Sequence, residues 1–204
     1  MIYLYGAGGH AKVIIEILQA QGMLGVALID ENKEGTVLDI PIAHRSIPEQ
    51  MEVGDYLIVA IGNSHVRKRI SSHRSDIDYA KALHPSCNIS PSASIGAGTV
   101  SMAGVSVNAE TIVGEHVILN TNCCIDHDCK IGSYAHISPN AALAGNVHVG
   151  EGAHVGIGAC VVPGIKIGKW ATIGAGAVII EDVPDYAVVA GNPGRIIKYN
   201  SIND

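Results

Sequence analysis

Phenylalanine is absent from this 204-residue sequence, and aromatic residues make up only 4% of it. A core without large rings must be filled by small and branched aliphatic side chains, which pack best in a thin and regular arrangement. The sequence instead contains 24 glycines, and Val, Ile and Ala dominate its apolar residues. This composition favours a repeat architecture.

Long uncharged apolar runs and dense basic segments are also missing. The first fifteen residues have no basic leader and glycines interrupt their apolar run, so we expect neither a signal peptide nor a transmembrane helix, and a cytoplasmic location. The net charge is −6, and the densest basic run, Arg67-Lys68-Arg69, is interpreted as the solvated face of a short helix. A general nucleic-acid binder needs a basic stripe, so we expect no nucleic-acid or membrane partner.

An aliphatic residue recurs every six positions from Ile89 to Ile179, with Ser101 as the exception. The residue four positions further on is small or β-branched, and glycine often follows the aliphatic one. This period fits neither an α-helix nor a flat strand. It predicts short strands joined at corners, three to a coil, that stack as a parallel β-helix with the aliphatic side chains inside.

Residues 1–83 follow a different pattern, in which strand and helix signals alternate. We predict strands at 1–5, 26–30, 56–61 and 80–83 and helices at 12–21 and 66–74, which together indicate a small parallel α/β sheet.

A glycine turn, Gly6-Ala7-Gly8-Gly9, lies between the first strand and the first helix. Glycines let the backbone approach a diphosphate, and the helix N-terminus offers free N–H groups to it. Asp30 lies near the distance expected of a ribose-binding residue, but 83 residues provide only about half of a full dinucleotide fold. A mononucleotide site therefore fits better, with a purely structural role of the glycines as the alternative.

His127 is flanked by Asp126 and Asp128 in a corner of the predicted coil. Ile125 is an inward position, so His127, two residues later, should point outward. A carboxylate bonded to one imidazole nitrogen raises the basicity of the other, which suits a general base for acyl transfer to an amine. The sequence leaves open which of the two carboxylates does this. Three further outward histidines are interpreted as solvated: His116, His148 and His154.

The cysteines near His127 raise the possibility of a metal site. Cys123 and Cys129 should point into the prism on different faces while His127 points out, so the three side chains cannot converge on one ion. We therefore predict no metal and read the cysteines as free thiols, with Cys124 as the one that could face outward.

His127 and His136 are nine residues apart, or one and a half hexads, so they should lie on different faces of one prism. Two such residues can meet when prisms pack around a threefold axis. This spacing predicts a homotrimer with active sites between its subunits.

Nearly the whole chain resembles the sialic-acid and bacillosamine-type sugar acetyltransferases, which join a Rossmann-like α/β domain to a left-handed β-helix. The resemblance lies in YGAGGHAKVI, AIGNSHVRKRI, HPSCNISPSASIG, VILNTNCCIDHDCKIGSYAHIS, AGNVHVGEGAHVGIGACVVPGIKIG and the tail VVAGNPGRIIK. It implies a Rossmann-like nucleotide-sugar-binding domain at 1–83, a left-handed parallel β-helix of hexapeptide repeats that binds acetyl-CoA and carries catalysis at 84–183, and a C-terminal tail at 184–204.

The resemblance also implies residue roles. It makes His127 the general base, Asp128 its supporting carboxylate, and Asn120 a residue that orients the acceptor. His136 would contact acetyl-CoA near its thioester, and Gly145 would offer a backbone N–H to the thioester oxygen. The remaining implied contacts are Ile157 and Ala175 along the CoA path, and Gly8, Gly9, His10, Asp30, Glu31, Gly62 and His65 in the nucleotide-sugar pocket.

The activity implied is N-acetylation of the 4-amino group of a nucleotide-linked amino-deoxy sugar, with UDP as the expected nucleotide. Acetyl-CoA would be the co-substrate, and transfer would be direct in a ternary complex. Two alternatives stay open: O-acetylation of sialic acid or a related sugar, and a non-catalytic β-helix protein that binds a nucleotide-sugar.

Overall fold

The computed structural model describes residues 1–49 and 51–201. Its first part is a parallel sheet with two helices, and one short antiparallel strand at the edge. The elements are β1 (Ile2–Tyr5), α1 (Gly9–Ala20), β2 (Val26–Ile29), β3 (Thr36–Val37), β4 (Ile40–His44), β5 (Tyr56–Val59) and α2 (Ser64–His73).

Both helices and the strands β1, β2 and β5 of this domain were predicted, but the hairpin of β3 and β4 was not. Its turn residues, Leu38 and Asp39, have φ values of 47° and 64°. Such a turn usually carries glycine or asparagine, so the usual sequence signal is missing. α1 also begins earlier than predicted, at Gly9, because glycines in its first turn obscure the helical pattern.

The second part is a parallel β-helix built from two-residue strands six residues apart. These strands are β6 (Ala82–Leu83), β7 (Asn88–Ile89), β8 (Ser94–Ile95), β9 (Val100–Ser101), β10 (Ser106–Val107), β11 (Ile112–Val113), β12 (Ile118–Leu119), β13 (Cys124–Ile125), β14 (Lys130–Ile131), β15 (His136–Ile137), β16 (Ala142–Leu143), β17 (His148–Val149), β18 (His154–Val155), β19 (Cys160–Val161), β20 (Lys166–Ile167), β21 (Thr172–Ile173) and β22 (Val178–Ile179).

Each strand pairs in parallel with the strand one coil, or 18 residues, further on, as Ile112 pairs with Lys130. The first face of the prism contains β7, β10, β13, β16, β19 and β22, and the second contains β8, β11, β14, β17 and β20. The third face begins at β6 and runs through β9, β12, β15, β18 and β21, so the strand predicted at 80–83 belongs to the β-helix and not to the α/β sheet. The predicted aliphatic positions fill the interior, and Ser101 is buried among them.

The third face extends into the predicted tail. β23 (Ala187–Ala190) pairs in parallel with β21, and β24 (Arg195–Tyr199) then pairs antiparallel with β23 at the edge. Residues 202–204 of the predicted tail lie outside the described residues. Within 1–49 and 51–201, no helix combines the length and apolar character needed to cross a bilayer.

The α/β domain packs against the third face of the β-helix. Val100, Met102 and Ile118 from that face share one apolar core with α1 residues such as Ile14 and Leu18. The two domains therefore bury a common surface.

This packing overturns two sequence-based interpretations. Arg67 is only 1% exposed and is not part of a solvated helix face, because α2 lies against the corner between the second and third faces. His116 is 4% exposed and packs against Tyr79 and Tyr134, so it is not solvated either. His154, in contrast, is exposed as predicted, and its Nε2 lies 2.8 Å from Ser138 Oγ. Side chains that point outward from the coil are buried where the α/β domain covers them.

Candidate active site

His127 lies on an exposed corner between the first and second faces, after β13. Its Nδ1 is 2.7 Å from Asp128 Oδ2, and its side chain is 59% exposed. The hydrogen bond that Asp128 accepts from Nδ1, followed by the negative charge of Asp126, raises the pKa of His127. With Nδ1 held by a carboxylate, the outer nitrogen Nε2 is the one left to accept a proton.

Asp126 is engaged differently from Asp128. Its Oδ1 accepts a bond of 2.8 Å from Asn108 Nδ2 and another of 2.8 Å from the backbone N–H of His127. These bonds lower the pKa of Asp126, with the Asn108 bond as the largest cause. Asp126 therefore holds the backbone of the corner, and Asp128 holds the ring. The sequence analysis did not single out Asn108, although it stands one coil before Asp126.

Gly145 lies one coil after His127, directly beneath the imidazole. A Cβ added at Gly145 would stand 2.7 Å from Cε1 and 2.8 Å from Nε2 of His127, so only glycine leaves room for the ring in this position. Within the described part of the chain, the N–H of Gly145 has no hydrogen-bond acceptor. A free backbone donor thus lies beside the free nitrogen of the histidine.

A second group of polar side chains lies on the third face. Asn120 Nδ2 donates to His136 Nε2 at 3.2 Å, and the His136 ring stacks on His154 with centroids 4.7 Å apart. Burial, followed by the proximity of His154, lowers the pKa of His136 to about 3. His136 is therefore a neutral imidazole that accepts a bond at Nε2 and carries its proton on Nδ1.

In a single chain these two groups do not meet. His127 occupies the corner between the first and second faces, whereas Asn120 and His136 lie on the third face across the prism. Ile157 and Ala175 stand on exposed positions of another corner, between the third and first faces, with the Gly176 N–H bonded to the Ile157 carbonyl. The residues predicted to bind CoA are thus spread around the prism.

A cleft of about 290 Å³ lies between the start of α2 and the C-terminal coils. It brings together Gly62, His65 and His136, three of the predicted site residues, with His154 and Trp170 in its wall. The His65 ring stacks on Trp170 with centroids 3.9 Å apart. Trp170, which the sequence analysis did not single out, therefore shapes this cleft.

The sheet of the first domain has the strand order β3-β4-β2-β1-β5, so the order reverses at β1. Ligands of open α/β sheets bind in the crevice at such a reversal, beyond the carboxyl ends of the strands. A pocket of about 200 Å³ lies there, lined by residues that include Tyr5, Gly6, Asp30 and Glu31. Glu31 accepts a hydrogen bond from the Tyr5 hydroxyl.

Asp30 stabilises the glycine turn. Its Oδ2 accepts from the Ala7 N–H at 2.8 Å, and its Oδ1 accepts from the N–H groups of Asn32 and Lys33 at 3.0 Å each. The carboxylate of Asp30 is thus shared among three backbone donors, and the ribose contact predicted for it would have to use a remaining lone pair.

Gly8, Gly9 and His10 form the N-terminal end of α1. A Cβ at Gly9 would meet nothing within 4 Å, so there is open space above this turn. His10 Nε2 is buried and has no hydrogen-bond partner among the described residues. Burial, followed by the charge of Arg67, lowers the pKa of His10 to about 4, which keeps the ring neutral.

Cys123 and Cys129 are buried inside the prism, as predicted, and Cys124 is exposed. Within residues 1–49 and 51–201, no group of three or more His, Cys, Asp or Glu side chains is arranged to hold a metal ion.

The chain is similar to known proteins along nearly its whole length. A family described as the PglD N-terminal domain matches residues 1–73. The crystal structure of PerB from Caulobacter crescentus, in complex with CoA and GDP-perosamine, is 40% identical, with 97% of each chain covered and a TM-score of 0.91. The acetyltransferase domain of PglB from Neisseria gonorrhoeae FA1090 is 36% identical over 96% of this chain and 98% of that one, with a TM-score of 0.93.

A curated relative, UDP-N-acetylbacillosamine N-acetyltransferase of Bacillus subtilis (strain 168), is 38% identical over 115 residues. The matched stretch covers 50% of this chain and 51% of the Bacillus protein, about half of each. Together with the solved structures, these similarities confirm the predicted left-handed β-helix of hexapeptide repeats behind an α/β domain.

Proposed function

The chain belongs to the family of bacillosamine-type sugar acetyltransferases, and from this membership we propose that it transfers an acetyl group from acetyl-CoA to the 4-amino group of a nucleotide-linked amino-deoxy sugar. The observation that carries the proposal is the His127–Asp128 pair, which lies over the unpartnered N–H of Gly145. A general base with an oxyanion donor beside it suits acyl transfer to an amine.

In the proposed reaction the amine nitrogen attacks the thioester carbonyl, and a C–N bond forms as Nε2 of His127 takes the amine proton. Asp128 stabilises the imidazolium that results. The N–H of Gly145 donates to the oxygen on which negative charge develops. When the C–S bond breaks, the imidazolium returns its proton to the sulfur, and CoA leaves as a thiol.

Transfer without a covalent enzyme intermediate fits the surroundings of His127. A nucleophilic cysteine needs a neighbouring base to activate it. Cys124 is exposed, but its thiol has no hydrogen-bonded base within the part of the chain that the structure describes. Nothing near the corner therefore supports an acyl-cysteine step.

The distribution of side chains supports a homotrimer. His127 and Gly145 supply a base and a donor at one corner, whereas Asn120 and His136 lie on another face beside the cleft at Gly62 and His65. In the proposed assembly, the corner of one subunit faces the cleft of its neighbour. The predicted nucleotide contacts at Gly8, Gly9 and Glu31 would then hold the sugar from the α/β domain.

The proposal is tested by measuring thiol release from acetyl-CoA in the presence of UDP-, GDP- and dTDP-linked 4-amino sugars and of free sialic acid. We expect release with an amino sugar, and a loss of about 10²- to 10⁴-fold in His127→Ala. His84→Ala is the matched control, since His84 lies at the start of the β-helix, between β6 and β7, where its ring bonds to Ser86.

Four results would contradict the proposal or a part of it. Release with sialic acid alone would favour O-acetylation, and full activity of His127→Ala would remove the assigned base. Binding of a nucleotide-sugar without release from any acceptor would favour a non-catalytic protein. Sedimentation of the protein as a monomer at assay concentration would refute the shared site.

A further inference from the structure

Arg67 is the largest of the fully buried side chains and is only 1% exposed. Within the described residues it has no carboxylate partner. Burial lowers its pKa to about 10, so the guanidinium remains charged at neutral pH. A buried charge without a counter-ion costs free energy unless hydrogen bonds compensate for it, so its partners need an explanation.

All three guanidinium nitrogens donate to backbone carbonyls, and these carbonyls come from two different parts of the molecule. On the side of the α/β domain, Nη1 donates to the carbonyls of Ile61 at 3.0 Å and Gly62 at 2.7 Å. On the side of the β-helix, Nε donates to the carbonyl of His116 at 3.0 Å, and Nη2 donates to that of Tyr134 at 2.7 Å.

Each set of carbonyls includes a residue close to the cleft: Gly62 lines it, and Tyr134 stands two residues before His136, which also lines it. Ile61 and Gly62 lie in the loop between β5 and α2, and Gly62 from this loop and His65 from the first turn of α2 line the cleft. Nη2 also approaches the carbonyl of Ala135, at 3.4 Å, immediately before His136. The Arg67 side chain thus connects the loop at Gly62 to the strand that carries His136.

We propose that Arg67 is a positioning residue, which holds the loop at Gly62 and His65 at a set distance from His136. The inference rests on the proposed function, because it assigns the two sides of the cleft to acceptor and donor. A guanidinium suits this task since its donors have a fixed planar geometry, which a lysine ammonium lacks.

Other contacts already attach α2 to the β-helix, so Arg67 is not needed merely to dock the domain. Ser71 Oγ lies 3.0 Å from the Tyr134 hydroxyl, and Lys68 pairs with Glu151 and lies 5.4 Å from the Trp170 ring centroid. Neither of these contacts reaches the loop at Gly62. Arg67 does reach this loop, so its role in positioning the loop is distinct from a role in docking the two domains.

The variants that test the proposal are Arg67→Met and Arg67→Lys, with Lys68→Met as the matched control on the same helix. The coil is held by its strand pairing, whereas the loop at Ile61 and Gly62 lies outside the helices and strands, and the His65–Trp170 stack holds the start of α2 beyond it. We therefore expect Arg67→Met to lower kcat/KM for the nucleotide-sugar by about 100-fold, as expected of a misplacement of about 1 Å. The KM for acetyl-CoA should stay unchanged, Arg67→Lys should recover part of the loss, and Lys68→Met should behave as wild type.

Hydrogen exchange gives a readout that does not depend on activity. Amides at 61–65 should exchange faster in Arg67→Met and not in Lys68→Met, while those at 134–137 stay protected in both. If the wild type acetylated no amino sugar, the proposed function would fail, and the exchange difference would still report the positioning.

Three results would overturn the proposal. They are a folded Arg67→Met with the kinetics of Lys68→Met, an equal rise in the KM of both substrates, and unchanged exchange at 61–65. If Arg67→Met does not fold, Arg67→Lys is compared with Lys68→Met in its place. Equal changes in the KM of the nucleotide-sugar and of acetyl-CoA in Arg67→Lys would then overturn the proposal.

Discussion

Alanine at Gly145 would place a methyl carbon 2.7 Å from Cε1 of His127. Ordinary carbon–carbon contacts begin at about 3.5 Å, so the imidazole would have to retreat by about 0.8 Å. The ring is on the surface and can move, and the φ value of Gly145 lies outside the left-handed region, so alanine strains neither the core nor the backbone. The change therefore acts on the position of the base.

A displacement of about 1 Å in a catalytic group can cost about 100-fold in rate, so we expect Gly145→Ala to lower kcat by one to two orders of magnitude. The backbone N–H is retained, which leaves the proposed oxyanion donor in place. The assay is steady-state thiol release, with the thermal unfolding midpoint measured in parallel. Gly25→Ala is the control, because a Cβ there meets nothing within 4 Å.

The reasoning would be refuted if Gly145→Ala kept a wild-type kcat, since the ring would then not need its position above the glycine. A large fall in the thermal unfolding midpoint together with the loss of activity would also refute it. That result would show that the methyl group disturbs the coil and not the histidine.

The other predictions concern pH and packing. Asp128 raises the pKa of His127, so Asp128→Asn should lower the maximal rate and shift the acidic limb of the kcat/KM profile to lower pH; an unshifted limb would contradict this. Burial, followed by the charge of Arg67, lowers the pKa of His116 to about 4, below its unfolded value of 6.5, so stability is retained above about pH 6.5 and lost as pH falls toward 4. His116→Phe should therefore make the melting temperature less dependent on pH between about 6.5 and 4. A pH dependence identical to that of the wild type would exclude His116 as its source. Gly114→Ala would place its Cβ 2.6 Å from the Ser133 nitrogen and should cost roughly 1–3 kcal/mol of stability by denaturant titration, with a wild-type midpoint as the contrary result.

The β-helix could be predicted from the sequence because its rule is local and repeats every six residues. The same rule placed Cys123 and Cys129 inside the prism and His127 outside it, as observed. Sequence spacing could not choose between Asp126 and Asp128, since both flank the histidine. The choice depends on Asn108, one coil earlier, which occupies Asp126 and leaves Asp128 to bond the ring.

The errors came from contacts between the domains. Arg67 and His116 read as solvated because each stands at an outward position of its own element. Packing of α2 on the corner of the β-helix buries both, and no periodicity within either domain carries that information. Trp170 was overlooked for the same reason, since His65 from the other domain covers its ring.

Because each coil of the β-helix contains 18 residues, the length of the prism changes only in steps of one coil. Each turn advances by one strand spacing, about 4.8 Å, so added or deleted turns would change the separation between two corners only in whole increments. Ile157 and Ala175 sit one such increment apart, and both follow His127 along the axis. An insertion of 18 residues between His127 and Ile157 that continues the repeat would leave every side chain facing its original direction and would move these two residues apart by a single step. One added hexad, or two, would instead place Ile157 on another corner.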